Sequence, residues 1–167
     1  IYGIDLARQQ NDAVEPLITA KFDQGFGWNQ FCPEGSGSCG GGGRALVGCV
    51  AVSMGQIMHY WSFPVQGEGQ NTYTDPKGED EGSFGTLSVD FYNSIYDYNA
   101  MGDGTSSSEA AALLLYDAGV SVNMDYGCDE SGAYVTGHSY PTAQYAFSNY
   151  FMFDDNITSI NRNSLTD

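Results

Sequence analysis

Four cysteines (Cys32, Cys39, Cys49, Cys128) and two histidines (His59, His138) are the residues of this chain suited to nucleophilic or metal chemistry. Cys49 stands out by its place. It follows a glycine-rich run and Gly48, and it opens the segment Gly48–Phe63, whose apolar residues at 50, 54, 57, 58 and 61 recur at helical spacing. A thiol at a helix N-terminus meets free backbone N–H groups and the positive end of the macrodipole, which favour a thiolate. The same N–H groups can bind the oxyanion formed when a carbonyl is attacked. These are the needs of cysteine acyl transfer, which also requires a general base. Against that stands the plainer reading of a packing cysteine on an apolar helix, since free cysteine is among the most buried residue types.

The base is not evident. His59 lies ten residues along the same helix, roughly 15 Å away at 1.5 Å per residue. His138 sits in a Gly-His-Ser loop, and nothing local aims it at Cys49. No C-x-x-C occurs and histidine is scarce, so neither a metal site nor a cofactor is expected. Cys32 and Cys39 flank a Pro-Glu-Gly-Ser-Gly-Ser loop flexible enough to close a short bridge between them, although the pairing of the three remaining cysteines stays open.

The elements that must position Cys49 follow from pattern. With 167 residues and 41% hydrophobic composition, the chain can bury one core. Pro64 is expected to end the nucleophile helix. Gln66–Gly85, with Asp75, Glu79, Asp80 and Glu81, reads as a polar, acidic, exposed excursion. Ser106–Glu109 has capping-box spacing ahead of a helix over Ala110–Ala118, with Gly119 as its stop. Val120–Met124 alternates like a strand, and Pro141 at a first helical position predicts a helix to about Phe151. No repeat or second core is visible, so the expectation is a single α+β domain over residues 1–167.

Charge excludes several functions. Twenty-one acidic residues face five basic ones, for a formal charge of −16. Nucleic-acid binding needs a basic stripe that five scattered cations cannot make, and an anionic membrane surface would repel the chain. The long stretch Ala45–Gly69, with Glu68 as its lone acid, contains Gln56, His59 and Pro64, so no membrane-spanning helix is expected. Ile1 follows no signal-peptide pattern, and the last residues, Asn161–Asp167, read like a chain stopping in mid-domain.

The motifs around Cys49 resemble a known family. Gly48-Cys49-Val50-Ala51, then Gln56-Ile57-Met58-His59-Tyr60-Trp61 and Pro64, are similar to the nucleophile helix of the streptopain family of secreted bacterial cysteine peptidases. Val14–Ile18, Trp28-Asn29-Gln30, Cys32-Pro33, Tyr96–Met101, Gly119–Gly127 and Ser131-Gly132-Ala133 match further stretches in the same order. The resemblance runs over about residues 12 to 165. It implies a papain-like fold and an endopeptidase acting on protein or peptide substrates, with Cys49 forming a thioester acyl-enzyme. Its backbone N–H would be one oxyanion donor; papain-type enzymes carry a Gln six residues before the nucleophile, where position 43 here is Gly. Ser131 and Gly132 match a loop bordering the substrate cleft and are implied as substrate contacts. The family's base histidine lies beyond the point reached at Asp167, and neither His59 nor His138 matches its motif. The papain-like fold is therefore expected to be incomplete, lacking most of its β-rich part. The histidine would come from a second chain or a missing C-terminal segment. The alternative is a non-catalytic extracellular binding or structural subunit on a peptidase-like fold.

Overall fold

The computed structural model describes residues 15–35, 39, 42–76, 83–137 and 139–160. His138, the acidic residues 79–81 and the closing residues 161–167 lie outside the described residues.

Helix α1, Cys49–Trp61, buries Val50, Ala51, Met54, Gly55 and Met58 along one stripe. It ends three residues before Pro64, earlier than expected. Ser62 takes the left-handed conformation at φ 47°; its N–H donates to the His59 carbonyl and the Phe63 N–H to that of Met58. This pair of bonds satisfies the last carbonyls of the helix before the proline is reached. Trp61, placed on the apolar stripe by periodicity, is 64% exposed because the helix stops at it.

Helix α1 crosses helix α3, Glu109–Ser121, at very short range. A Cβ on Gly55 would lie 2.6 Å from Leu115 Cδ2, so glycine is what lets the helices approach. α3 is buried nearly all round, as befits a central helix. Its N-cap is Ser108, whose hydroxyl accepts the Ala111 N–H at 3.2 Å, so the expected capping box anchored on Ser106 is not the one used. Nor does Gly119 end the helix. A Cβ there would overlap the Tyr126 hydroxyl, and the glycine marks that close approach. The helix continues through Val120 to Ser121, so the expected strand over Val120–Met124 does not form. Val120, Val122 and Met124 are buried by the helix end and the turn after it.

The expected acidic excursion contains the first strand of a hairpin, whose second strand begins just after it. Strands β1, Gln70–Thr74, and β2, Thr86–Asp90, pair antiparallel with Gln70 opposite Asp90 and Thr74 opposite Thr86. Asn71 and Tyr73 point inward from β1. The Asn71 amide donates to the Val120 carbonyl at 2.6 Å, and the Tyr73 hydroxyl to that of Met124 at 2.7 Å. Asp75, expected on the surface, is 1% exposed. It survives burial because its carboxylate accepts the backbone N–H groups of Phe84 at 2.9 Å and Tyr126 at 3.0 Å.

A short helix α2, Tyr98–Met101, is capped by Asp97. Helix α4 spans Ala143–Asn149 with Thr142 as its N-cap, the hydroxyl accepting the Tyr145 N–H at 3.1 Å. Pro141 thus precedes the cap, two residues ahead of the first helical residue.

Candidate active site

Cys49 is the first residue of α1, exposed and unpaired. Gly48 ahead of it adopts φ 89° and ψ 137°, a left-handed-side conformation that glycine alone reaches without strain. Among the described residues no side chain caps the helix, and no acidic residue lies in its first turn. The first N–H groups are therefore left for an incoming anion.

The backbone entering this turn is held from both sides. The Val47 N–H donates to the Gln24 carbonyl at 3.0 Å, the Ala45 N–H to that of Pro33 at 2.9 Å, and the Asn29 amide to the Ala45 carbonyl at 3.1 Å. On the opposite side the Leu46 N–H donates to the Gly127 carbonyl at 2.9 Å, and the Ser131 hydroxyl donates to the Leu46 carbonyl at 2.7 Å. Arg44 reaches across to the Cys32 carbonyl at 2.7 Å and pairs with Glu34 at 2.8 Å.

The cysteines sort themselves by environment. Cys39 is bonded to Cys128, 89 residues away in sequence, so the bridge between Cys32 and Cys39 does not form. The fold brings Cys128 to Cys39 and leaves Cys32 fully buried. Closing so long a loop is worth about 4–5 kcal/mol in the chain-entropy account. Burial pushes the Cys32 thiol up to about 12, which removes it as a nucleophile at neutral pH. Cys49 is thus the one accessible free thiol among the described residues.

The resemblance-derived contacts occupy different roles. Ser131 is 7% exposed, and its hydroxyl is engaged with Leu46, Gly127 and the Gly127 N–H, at 3.0 Å for the last. Gly132 is exposed; its N–H and carbonyl pair with Asp125 at 3.0 and 2.9 Å, and the space beside its Cα is open. His59 points away from Cys49: its Nε2 lies 2.7 Å from the Gly102 carbonyl and its ring packs edge-on against Phe22 and Tyr98.

One residue escaped the sequence reading. Gln24 abuts the backbone two residues before Cys49 through its bond to Val47, is half-buried, and makes no carboxamide hydrogen bond among the described residues. It lies 25 positions from the nucleophile, so a search at papain-type spacing passes over it.

A model of the peptidase C10 family matches residues 22–167, which include Cys49 and every element described above. The chain belongs to the peptidase C10 family. Its C10 relatives include streptopain of Streptococcus pyogenes, 30% identical over 132 residues, covering 75% of this chain and 32% of that protein. The thiol protease/hemagglutinin PrtT of Porphyromonas gingivalis is 29% identical over 124 residues, covering 73% of this chain and 14% of PrtT. The chain thus spans a third or less of the curated C10 relatives it matches. Among solved structures, active wild-type interpain A cysteine protease of Prevotella intermedia superimposes with a TM-score of 0.73 at 31% identity, over 92% of this chain and 61% of that one. A prointerpain A fragment matches with a TM-score of 0.66 at 30% identity, over 83% of this chain and 43% of the other. The C10 fold here is therefore part of a papain-like α+β domain, with Cys49 as the first residue of helix α1.

Proposed function

We propose that this chain carries the nucleophile of a secreted bacterial cysteine endopeptidase. The observation that supports it most is Cys49 itself: an exposed free thiol on the uncapped N-terminus of α1, in a peptidase C10 chain. Cys49 Sγ, as thiolate, attacks the scissile carbonyl carbon. The tetrahedral oxyanion is held by the Cys49 backbone N–H and by the Gln24 carboxamide. Collapse expels the amine, which takes its proton from a histidinium, and leaves a thioester. Water then attacks the thioester, giving a proton to the imidazole; collapse releases the carboxylic acid and returns the thiolate beside the histidinium.

The base histidine is assigned to a further segment or a second polypeptide, because His59 faces Gly102 and neither His59 nor His138 matches the family's histidine motif. The chain by itself would be inactive. Substrate passes along the 131–132 wall, where Gly132 offers open surface and the Ser131 hydroxyl is already engaged. The Cys39–Cys128 disulfide fits an oxidising compartment and so supports secretion.

The test uses the full-length gene product. It should hydrolyse protein substrates, take up a peptidyl epoxide on Cys49, and lose activity on Cys49→Ser. A product that ignores the epoxide while iodoacetamide still modifies Cys49 would overturn the reading in favour of a binding or structural subunit.

A further inference from the structure

Leu46 is held at both backbone groups by one loop. Its N–H donates to the Gly127 carbonyl at 2.9 Å, and its carbonyl accepts the Ser131 hydroxyl at 2.7 Å. The same hydroxyl accepts the Gly127 N–H at 3.0 Å, so one oxygen ties the loop to itself and to the backbone three residues before Cys49. Ser131 acts a second time through packing. A Cβ built on Gly48 would stand 3.2 Å from Ser131 Cβ, 2.7 Å from Met124 Sδ and 2.8 Å from Met124 Cε. Gly48 is thereby held in its φ 89° turn, from which α1 starts with Cys49 exposed and its thiol free. The loop is in turn anchored by the Cys39–Cys128 disulfide and the Asp125–Gly132 bridge.

We propose that Ser131 is a positioning residue for Cys49: it binds Leu46 and walls in Gly48, and so aims the turn that presents the thiol and its oxyanion-binding N–H. The proposal rests on the reading of Cys49 as the nucleophile. It replaces a direct substrate contact by the Ser131 hydroxyl, whose single proton already goes to Leu46 and which therefore has no donor left for a substrate carbonyl. Loss of that hydroxyl leaves the Leu46 carbonyl and the Gly127 N–H without their partner and lets the Gly48 turn relax. Small displacements at a reacting centre are costly, a misplacement of about 1 Å reaching 100-fold.

The experiment compares Ser131→Ala with Ser121→Ala in the full-length protein. Ser121 is likewise buried, with its hydroxyl on the Ala118 carbonyl at 2.7 Å in the last turn of α3, so it reports general destabilisation. Two readouts are taken: iodoacetamide alkylation of Cys49 at about pH 7, and the kcat and KM for a peptide substrate. S131A is expected to slow alkylation about fivefold and to lower kcat about tenfold or more with KM within about twofold, while S121A changes neither. Wild-type alkylation and kcat in S131A would overturn the proposal, as would a rise in KM alone, which is what loss of a substrate hydrogen bond gives. Should S131A not fold, Ser131→Cys keeps the packing against Gly48 with a weak donor, and peptide mapping separates its thiol from that of Cys49. Slowed alkylation there supports positioning and an unchanged rate overturns it. If the wild-type protein hydrolyses nothing, the peptidase reading fails, but the alkylation comparison still decides the role of Ser131.

Discussion

The Asp75 carboxylate accepts the Tyr126 backbone N–H at 3.0 Å, joining the end of strand β1 to the loop that leads to Gly127 and Ser131. Its other oxygen accepts the Phe84 N–H at 2.9 Å and closes the hairpin. One buried acidic side chain thus connects the β-hairpin to the wall of the candidate active site.

Removing it should be expensive. Asp75→Ala leaves two N–H groups without an acceptor, and hydrogen bonds to a charged group contribute about 1.5–3 kcal/mol each. The expected loss is about 3 kcal/mol or more in urea unfolding, with slower alkylation of Cys49 under native conditions. Asp75→Asn, which keeps one acceptor oxygen, should lose less. Equal stability of D75A and wild type would show that the carboxylate carries no such burden.

Asp117 predicts a pH dependence. It lies in α3, 1% exposed, with the Tyr96 hydroxyl donating to it at 2.9 Å. Burial pushes its carboxyl up to about 6, above the ordinary aspartate value of about 3.9. A folded-state value above the unfolded one means the folded protein holds the proton longer. This contribution is fully present below about pH 4 and is lost as pH rises through about 6, by roughly 3 kcal/mol in order of magnitude. Asp117→Asn should therefore be more stable than wild type at pH 8, and the difference should shrink towards pH 4. A difference that is flat with pH would contradict this account.

His59 is expected to be dispensable for chemistry. Its ring holds the Gly102 carbonyl and packs on Phe22 and Tyr98. His59→Ala should cost about 1–2 kcal/mol of stability through those contacts, with kcat of the full-length protein and Cys49 alkylation within about twofold of wild type. A loss of activity by orders of magnitude in folded H59A would make His59 the base and refute its assignment here.

Gln24 should behave as a transition-state donor. Gln24→Ala is expected to lower kcat about 100-fold or more, the scale seen when one oxyanion donor is removed, with KM little changed. Gln24→Glu should be no better, since a carboxylate would repel the oxyanion. Unchanged kcat in Q24A would mean that the second donor is another group.

How far the sequence reaches is clearest from particular residues. Helix α1, its start at Cys49 and its buried stripe through Val50, Met54 and Met58 were legible, because a 3.6-residue period and a glycine before the first turn are local signals. The helix ends were less so. Ser62 closes α1 by bonds to His59 and Met58 that no motif announces, and Gly119 looked like a stop although its role is to admit Tyr126. Val120–Met124 alternates like a strand, yet burial at the end of a helix imposes the same pattern.

The residue types and their order were enough by themselves to place Cys49 on a helix N-terminus, to bring out the likeness to a peptidase family and to put His59, ten residues along the same helix, out of reach of Cys49. Tertiary structure alone decided which partner Cys39 takes, that Cys32 is withdrawn into the core, that Asp75 is buried, and that Gln24 and Ser131 flank the backbone leading to the nucleophile. The physical reason is range. Helix period, caps and glycine turns are written within a few residues. The contacts of Gln24 and Ser131 with the backbone leading to Cys49 join positions 23 and 85 residues apart, brought together only when the core closes.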